Sequence, residues 1–330
     1  MLRFISHILN TSKKYCIWAI TSCLLLAACK KDLLHYKAVQ QLNSNTTVRL
    51  NSILFINDST GFIAGGERFA SSIILYTNDG GNTWAVDSFP DAGKELFGIS
   101  QAPNGNLYSC GYDGKLLYSE NGGQQWTFKQ LTYDPFKKVV FPSVDKGLVI
   151  GGISFLAGYM VHINGQGDIT QWDSLGYELN DIVMLNSHTG FISGYGAMQR
   201  TDDGGNTWHY LDIKGDNFTS IAVYHDDIWV CGYNGSILHS SDMGTTWERQ
   251  RNGNDVTQAS YHLSAILFKD AMNGWAVGEK GLVIYTDDGG KHWASYDGFT
   301  SEDLRCISFA PAGNILVAGD NGTLYSLRPM

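Results

Sequence analysis

Thr201–Trp208 reads TDDGGNTW, and nearly the same eight residues stand at Thr77–Trp84 (TNDGGNTW) and Thr286–Trp293 (TDDGGKHW). A polar turn that keeps its spelling three times in one chain serves either a repeated site or a repeated piece of architecture. Aligned on the closing tryptophan, further copies end at Trp126 (YSENGGQQW), Trp172 (GQGDITQW) and Trp247 (HSSDMGTTW), so successive tryptophans are 42, 46, 36, 39 and 46 residues apart. That spacing is close to the length of a propeller blade, roughly 40–50 residues.

Each unit repeats upstream of the turn as well. A run such as LSAILF, LFGIS or FTSIAVY leads to GWAVG, LYSCG or IWVCG, then to a Gly-x-x-Gly turn (GEKG, GYDG, GYNG), then to LVIYT, KLLYS or SILHS. Short β-branched and aromatic runs punctuated by Gly, Asn and Asp are strand and turn signals, and no helical period of useful length interrupts them. Four strands per unit follow. Six units end in tryptophan; a seventh, Glu302–Met330, supplies three strands and then the sequence stops. Leu34–Leu42 (LHYKAVQQL) reads as an orphan fourth strand, so the expectation is all-β, a seven-bladed β-propeller of four-stranded antiparallel blades whose last blade is closed by the N-terminal strand. Such closure leaves no open sheet edge. Residues 34–330 are then one domain, expected to be monomeric.

The turn now has a mechanical reading. Asp79, Asp203, Asp242 and Asp288, with Asn121 in the same place, can accept hydrogen bonds from backbone N–H groups of the turn. The glycine two residues on supplies a positive φ, and Trp84, Trp126, Trp172, Trp208, Trp247 or Trp293 returns into the sheets, burying about 150–250 Å². DDGGN resembles a D-x-D-x-N-G calcium loop, but the glycine offset differs and the distal Glu is missing, so neither a metal nor another cofactor is expected.

These residues resemble the Asp-box, the bacterial neuraminidase repeat Ser/Thr-x-Asp-x-Gly-x-Thr-Trp. TNDGGNTW, TDDGGNTW and SSDMGTTW match it in full, TDDGGKHW loses one Thr, SENGGQQW carries Asn121 for Asp, and the third unit keeps little beyond Trp172. GWAVGEKGLVIYTDDGGKHW, with GFIAGG and GFISGYG elsewhere, is similar to propellers of the photosystem II assembly and stability factor type. That resemblance implies a non-catalytic scaffold that holds protein partners on its propeller face. The arginine-rich patch of that family is not evident here, so its photosynthetic partner is not carried over.

The first 29 residues are expected to be removed from the fold. Arg3, Lys13 and Lys14 precede the apolar run CIWAITSCLLLAA, which ends in Leu26-Ala-Ala-Cys29, the layout of a secretory signal. Small residues before the cysteine resemble the bacterial lipobox, which implies lipidation of Cys29 and a lipid-anchored domain in the cell envelope, the outer membrane being the expected site. Residues 30–33 read as a tether. Without residues 1–29 the chain keeps 20 basic against 32 acidic residues, a net charge of −12, and binding to nucleic acid is excluded on charge. Cys110, Cys231 and Cys306, an odd and widely spaced set, suggest neither disulfides nor zinc.

Function is expected on the rim opposite the repeated turns, where each fourth strand passes to the next blade. The loops there are SFPDAGKE, LTYDPFKK, LGYELND, DIKGDN, DGFTSED and the longest, Arg249–His262. Candidate binding residues on that face are Arg49, Arg68, Tyr133, Arg249, Arg251, His262 and Arg305, for a protein or glycan partner. The alternative is a sialidase-like glycosidase, which requires three arginines converging on a carboxylate beside a Tyr/Glu pair. Arg49, Arg68, Arg251 and Arg305 are the arginines available to it. No Gly-x-Ser-x-Gly or His-Glu-x-x-His pattern offers another enzyme.

Overall fold

The computed structural model describes residues 33–34, 38–255, 261–296 and 298–328. The expected signal segment, Cys29 and tether residues 30–32 lie outside the described residues, as do residues 256–260 in the middle of the long loop.

The chain forms seven sheets arranged as a β-propeller, antiparallel throughout except for one short added edge strand. After β1 (Leu33–Leu34) and β2 (Ala38–Gln41), blade 1 consists of β3 (Arg49–Phe55), β4 (Gly61–Glu67), β5 (Ser71–Thr77) and β6 (Ala85–Ser88), innermost to outermost. Five further blades repeat this order, and blade 7 takes its three inner strands from Leu304–Phe309, Ile315–Gly319 and Leu324–Arg328. Its fourth strand is β2, with Ala38 opposite Arg328 and Gln41 opposite Tyr325. The orphan strand therefore closes the ring, four residues long where Leu34–Leu42 was expected. Leu33 and Leu34 instead run parallel to Ala294–Tyr296 at the outer edge of blade 6, which has five strands.

Second strands are buried at nearly every residue, as in GWAVG of blade 6 and ILVAG of blade 7. They have sheet neighbours on both sides and other blades on both faces, which is why they read as continuous apolar runs rather than alternating ones. Seven hydrophobic clusters fill the spaces between blades, and the one containing Leu50, Leu75, Trp84, Leu316 and Leu324 joins blade 7 to blade 1. Trp126 packs with Phe62 of the preceding blade, and Trp247 joins the cluster between blades 4 and 5. A blade thus buries its tryptophan against the blade before it.

Every innermost strand carries a register shift near its start, at Leu50/Ser52, Leu96/Gly98, Phe136/Lys138, Leu179/Asp181, Phe218/Ser220, Leu263/Ala265 and Leu304/Cys306. A bulge adds one residue to a strand and re-aims its side chain. The residues so displaced are Asn51, Phe97, Lys137, Asn180, Thr219, Ser264 and Arg305, and all seven line the central cavity. Four of them also stitch blades together, Lys137 Nζ donating to Asn180 Oδ1 at 2.6 Å. Asn51 Nδ2 donates to the Leu96 carbonyl at 2.8 Å, Asn180 Nδ2 to that of Phe218 at 2.9 Å, and Thr219 Oγ1 to that of Leu263 at 2.7 Å.

Candidate binding face

In the turn at Thr201–Trp208, Asp203 Oδ1 accepts the backbone N–H groups of Asn206 (3.0 Å) and Thr207 (2.9 Å), and Oδ2 accepts the Thr207 hydroxyl at 2.6 Å. The Thr201 hydroxyl donates to Asp203 and accepts the Gly205 N–H. Trp208 Nε1 closes the turn on the Gly205 carbonyl at 3.2 Å. Asp79 repeats this geometry, and Asp242 does so except that the Thr245 N–H goes to the Asp242 backbone carbonyl; Trp84 and Trp247 bond to Gly81 and Gly244. At Asn121 the carboxylate is missing, and one amide oxygen accepts Ser119 Oγ and the Gln125 N–H. In the sixth copy His292 replaces the threonine and its ring nitrogen meets Asp288 at 2.6 Å. Gly205 adopts φ 85°, and a Cβ there would meet Leu148 of the neighbouring blade at 2.6 Å, so glycine is required twice over.

Bonds from Thr83, side chain first and then backbone, hold the Asp79 carboxyl at about 2, and bonds from Thr246 do the same for Asp242. Asp203 is lowered by the matching bonds from Thr207. At Asp288 burial pushes upward, but the His292 and Thr286 bonds outweigh it and leave the carboxyl at about 2. These carboxylates are fully engaged within their own turns. Trp172 departs from the pattern: it stands inside the strand Ile169–Leu175, opposite Val161, and its Nε1 donates to Ser174 Oγ. It packs against Tyr159 and Phe136 and closes no Asp-box turn.

The repeated turns join third to fourth strands, so the turns between second and third strands and the crossings between blades open on the opposite rim. There the innermost strands enclose a funnel of about 1140 Å³. Of the seven candidate residues, His262 and Arg305 line it. His262 Nδ1 lies 2.7 Å from Glu279, and its ring stacks on Tyr233 with centroids 3.4 Å apart. Arg305 is ion-paired to Asp320, whose Oδ1 also lies 3.8 Å from Arg49 Nε; Arg49 in turn reaches Glu95 at 3.4 Å. Two arginines therefore share one carboxylate at the seam between blades 7 and 1.

The other candidates stand apart. Arg68 lies over the rings of Phe69 and Tyr112. Arg251 is buried and donates to the Gly235 carbonyl. Arg249, on the outermost strand of blade 5, reaches the Lys214 carbonyl at 3.2 Å beside a shallow groove with Trp247. Tyr133 is 81% exposed in the crossing from blade 2 to blade 3, outside the funnel lining. The four arginines do not converge, and the two that meet are already neutralised, which removes the three-arginine basis of the sialidase reading. Arg305→Ala is expected to cost about 1 kcal/mol in urea unfolding, as a half-exposed ion pair does, with no hydrolysis of a fluorogenic sialoside before or after the change. Turnover that disappears with Arg305 would restore the glycosidase.

Sequence reading missed the apolar part of the face. Blade 3 has no Gly-x-x-Gly turn; its Ser154-Phe155-Leu156 leaves Phe155 64% and Leu156 70% exposed. Phe155 faces Tyr195 of blade 4 with ring centroids 6.0 Å apart. Two large apolar residues inside a turn, where sibling turns read GYDG or GEKG, were the available signal. Lys137 and Lys138, assigned to a loop, lie on the innermost strand of blade 3 and pair with Glu178 and Asp181. Cys110, Cys231 and Cys306 are buried free thiols, and burial raises the last two to about 12. Among the described residues no group of three or more His, Cys, Asp or Glu could hold a metal ion.

The family described as Photosynthesis system II assembly factor YCF48 matches residues 168–266. A solved structure described as YCF48 bound to D1 peptide has a TM-score of 0.69 and 17% identity, covering 91% of this chain and 100% of that one. The Photosystem II assembly lipoprotein Ycf48 of Nostoc sp. (strain PCC 7120 / SAG 25.82 / UTEX 2576) is 26% identical over 298 residues, covering 72% of this chain and 84% of the relative. The chain is a β-propeller that is similar to photosystem II assembly factors, with the family match confined to residues 168–266. A second lipoprotein of the same name, from Synechococcus sp. (strain CC9902), is 27% identical over 152 residues, 44% of this chain and 45% of the relative, so that match spans under half of its length. The funnel face of this propeller carries Phe155, Tyr195 and Tyr233.

Proposed function

We propose that the chain is a non-catalytic, lipid-anchored scaffold of the cell envelope that holds a segment of a protein partner across the funnel mouth. The observation that carries this reading is the exposure of Phe155, Leu156, Tyr195 and Tyr233 on successive blades beside the open funnel. Rigid aromatic anchors around a concave surface are the usual hot spots of protein recognition. The relative described as bound to a D1 peptide supports a polypeptide as the occupant, and the relatives named lipoproteins support the anchor.

The lipid is attached at Cys29, in the outer membrane in our reading. β2 runs away from the Asp-box rim, since Ala38 pairs with the last residue of the strand Leu324–Arg328. Ala38 therefore stands at that rim, which in this reading turns the funnel away from the membrane. Cys29→Ser is expected to move the protein from the membrane to the soluble fraction; full retention would refute lipid anchoring. Phe155→Ala combined with Tyr195→Ala is expected to lower partner recovery from solubilised envelopes about tenfold or more, from roughly 1–2 kcal/mol at each anchor. Unchanged recovery would move the site off the funnel face.

A further inference from the structure

The funnel is unevenly charged, and the imbalance describes the occupant more closely than the fold does. Five carboxylates line it, from Glu178, Asp181, Asp216, Glu279 and Asp303, against three cations, from Lys137, Lys138 and Arg305. All three cations are already matched, to Glu178, Asp181 and Asp320 respectively. Among the described residues, Asp216, Glu279 and Asp303 form no ion pair with a lysine or arginine, although Arg305 is near enough to Asp303 to feel its charge. Asp216 is buried and accepts only the N–H groups of Asn217 and Asn234 and the Ser236 hydroxyl. Asp303 accepts the Lys280 backbone N–H, and Glu279 faces the imidazole of His262 rather than an ammonium or guanidinium.

Across the mouth, blades 2 to 4 present Phe97, Phe155 and Tyr195. Glu279 and Asp303, on the side of blades 6 and 7, thus face aromatic rings carried by blades 2 to 5. A concave site with one sign of charge and low-dielectric walls focuses that field on an incoming group. An anionic ligand meets carboxylates in excess and cations that are spoken for; a neutral sugar makes no use of the charge.

We propose that the funnel takes the basic side chain of a lysine or arginine toward Asp303 and Glu279, from an extended polypeptide segment whose apolar neighbours rest on Phe97, Phe155 and Tyr195. This deepens the scaffold reading and rests on it. The bulges add to such a site by turning Phe97 and its six counterparts inward, beside other lining residues of the same strands such as Lys138 and Asp181.

The test uses the full chain in detergent, immobilised and panned with a displayed library of random dodecapeptides. Counter-selection against the Phe155→Ala/Tyr195→Ala protein retains the sequences that depend on the funnel. These are expected to carry lysine or arginine beside aromatic or aliphatic residues, several-fold over the input library. Their affinity is expected to fall about tenfold or more with Asp303→Asn combined with Glu279→Gln, since a charge pair closed from water is costly to break. Replacement of the peptide lysine by glutamate should abolish binding. Funnel-dependent peptides that are acidic, or no enrichment at all, would overturn the cationic segment while leaving a scaffold that still loses its envelope partner on Phe155→Ala/Tyr195→Ala. If envelope capture is indifferent to those two changes, the scaffold reading of this face fails with it.

Discussion

Asp203→Ala is expected to lower the unfolding free energy by about 2–3 kcal/mol in urea at neutral pH. The substitution removes an acceptor for two backbone N–H groups and two hydroxyls at once. Charge-assisted bonds are the stronger kind, and donors left without a partner carry the larger part of the cost. Asn206 and Thr207 are exposed, so water recovers part of the loss, which keeps the figure below the sum of four bonds. Asp203→Asn should cost about half as much, because Asn121 already occupies the same place in blade 2 with one oxygen serving Ser119 and Gln125. The pH dependence has a definite sign. These carboxyls are lower in the folded chain than the ordinary value near 4, with Asp79, Asp242 and Asp288 at about 2. Their contribution is complete above the unfolded value and is lost as pH falls through the folded one. The gap between parent and Asp203→Ala should therefore narrow between about pH 4 and pH 2. A gap that widens on acidification, or a variant as stable as the parent at pH 7, contradicts the fastener role.

What the sequence disclosed follows from where its information is local. The Asp-box turn is written within eight residues, because the Asp, the Gly and the Trp all act inside one turn and its neighbouring blade. Blade number and closure could be read for the same reason: four short runs repeat, and the count ends one strand short. The bulge ring is different in kind. Asn51, Lys137, Thr219 and Arg305 share a position and no chemistry, so only the fully buried apolar residue before each of them, Leu50, Phe136, Phe218 and Leu304, could have betrayed the register. Charge pairing was less legible still. Arg49 and Arg305 stand 256 residues apart and meet through Asp320 only because the ring closes between them. A reading that treats arginines as free ligands misses the carboxylates that consume them.

Deleting Ala38–Gln41 is expected to have the largest effect of all, about 4 kcal/mol or more. Blade 7 would keep three strands, and the edge Leu324–Arg328 would lose its four paired partners; at about 1 kcal/mol for each ladder bond, the backbone alone accounts for most of that figure. Burial adds to it. Leu42, which is 8% exposed within the cluster joining blades 7 and 1, hangs from the same strand and bonds the Leu324 carbonyl at 2.9 Å. Beyond it, Ser44 bonds Gly322 and Asn45 bonds the Trp84 carbonyl. Severing the strand loosens the path by which blade 1 is tied to blade 7. An open ring also exposes an unpaired edge of apolar strands, a template for intermolecular pairing, so the shortened chain should aggregate well below the unfolding midpoint of the parent. A synthetic peptide spanning residues 36–46 distinguishes closure from a general loss of mass. If the missing strand is a clasp, the peptide added in trans should raise the midpoint of the shortened chain in a saturable manner, and the same peptide with proline at positions 39 and 41 should not. Equal stability of the shortened and full chains would mean that the ring holds by blade-to-blade packing alone and that β2 is an accessory edge.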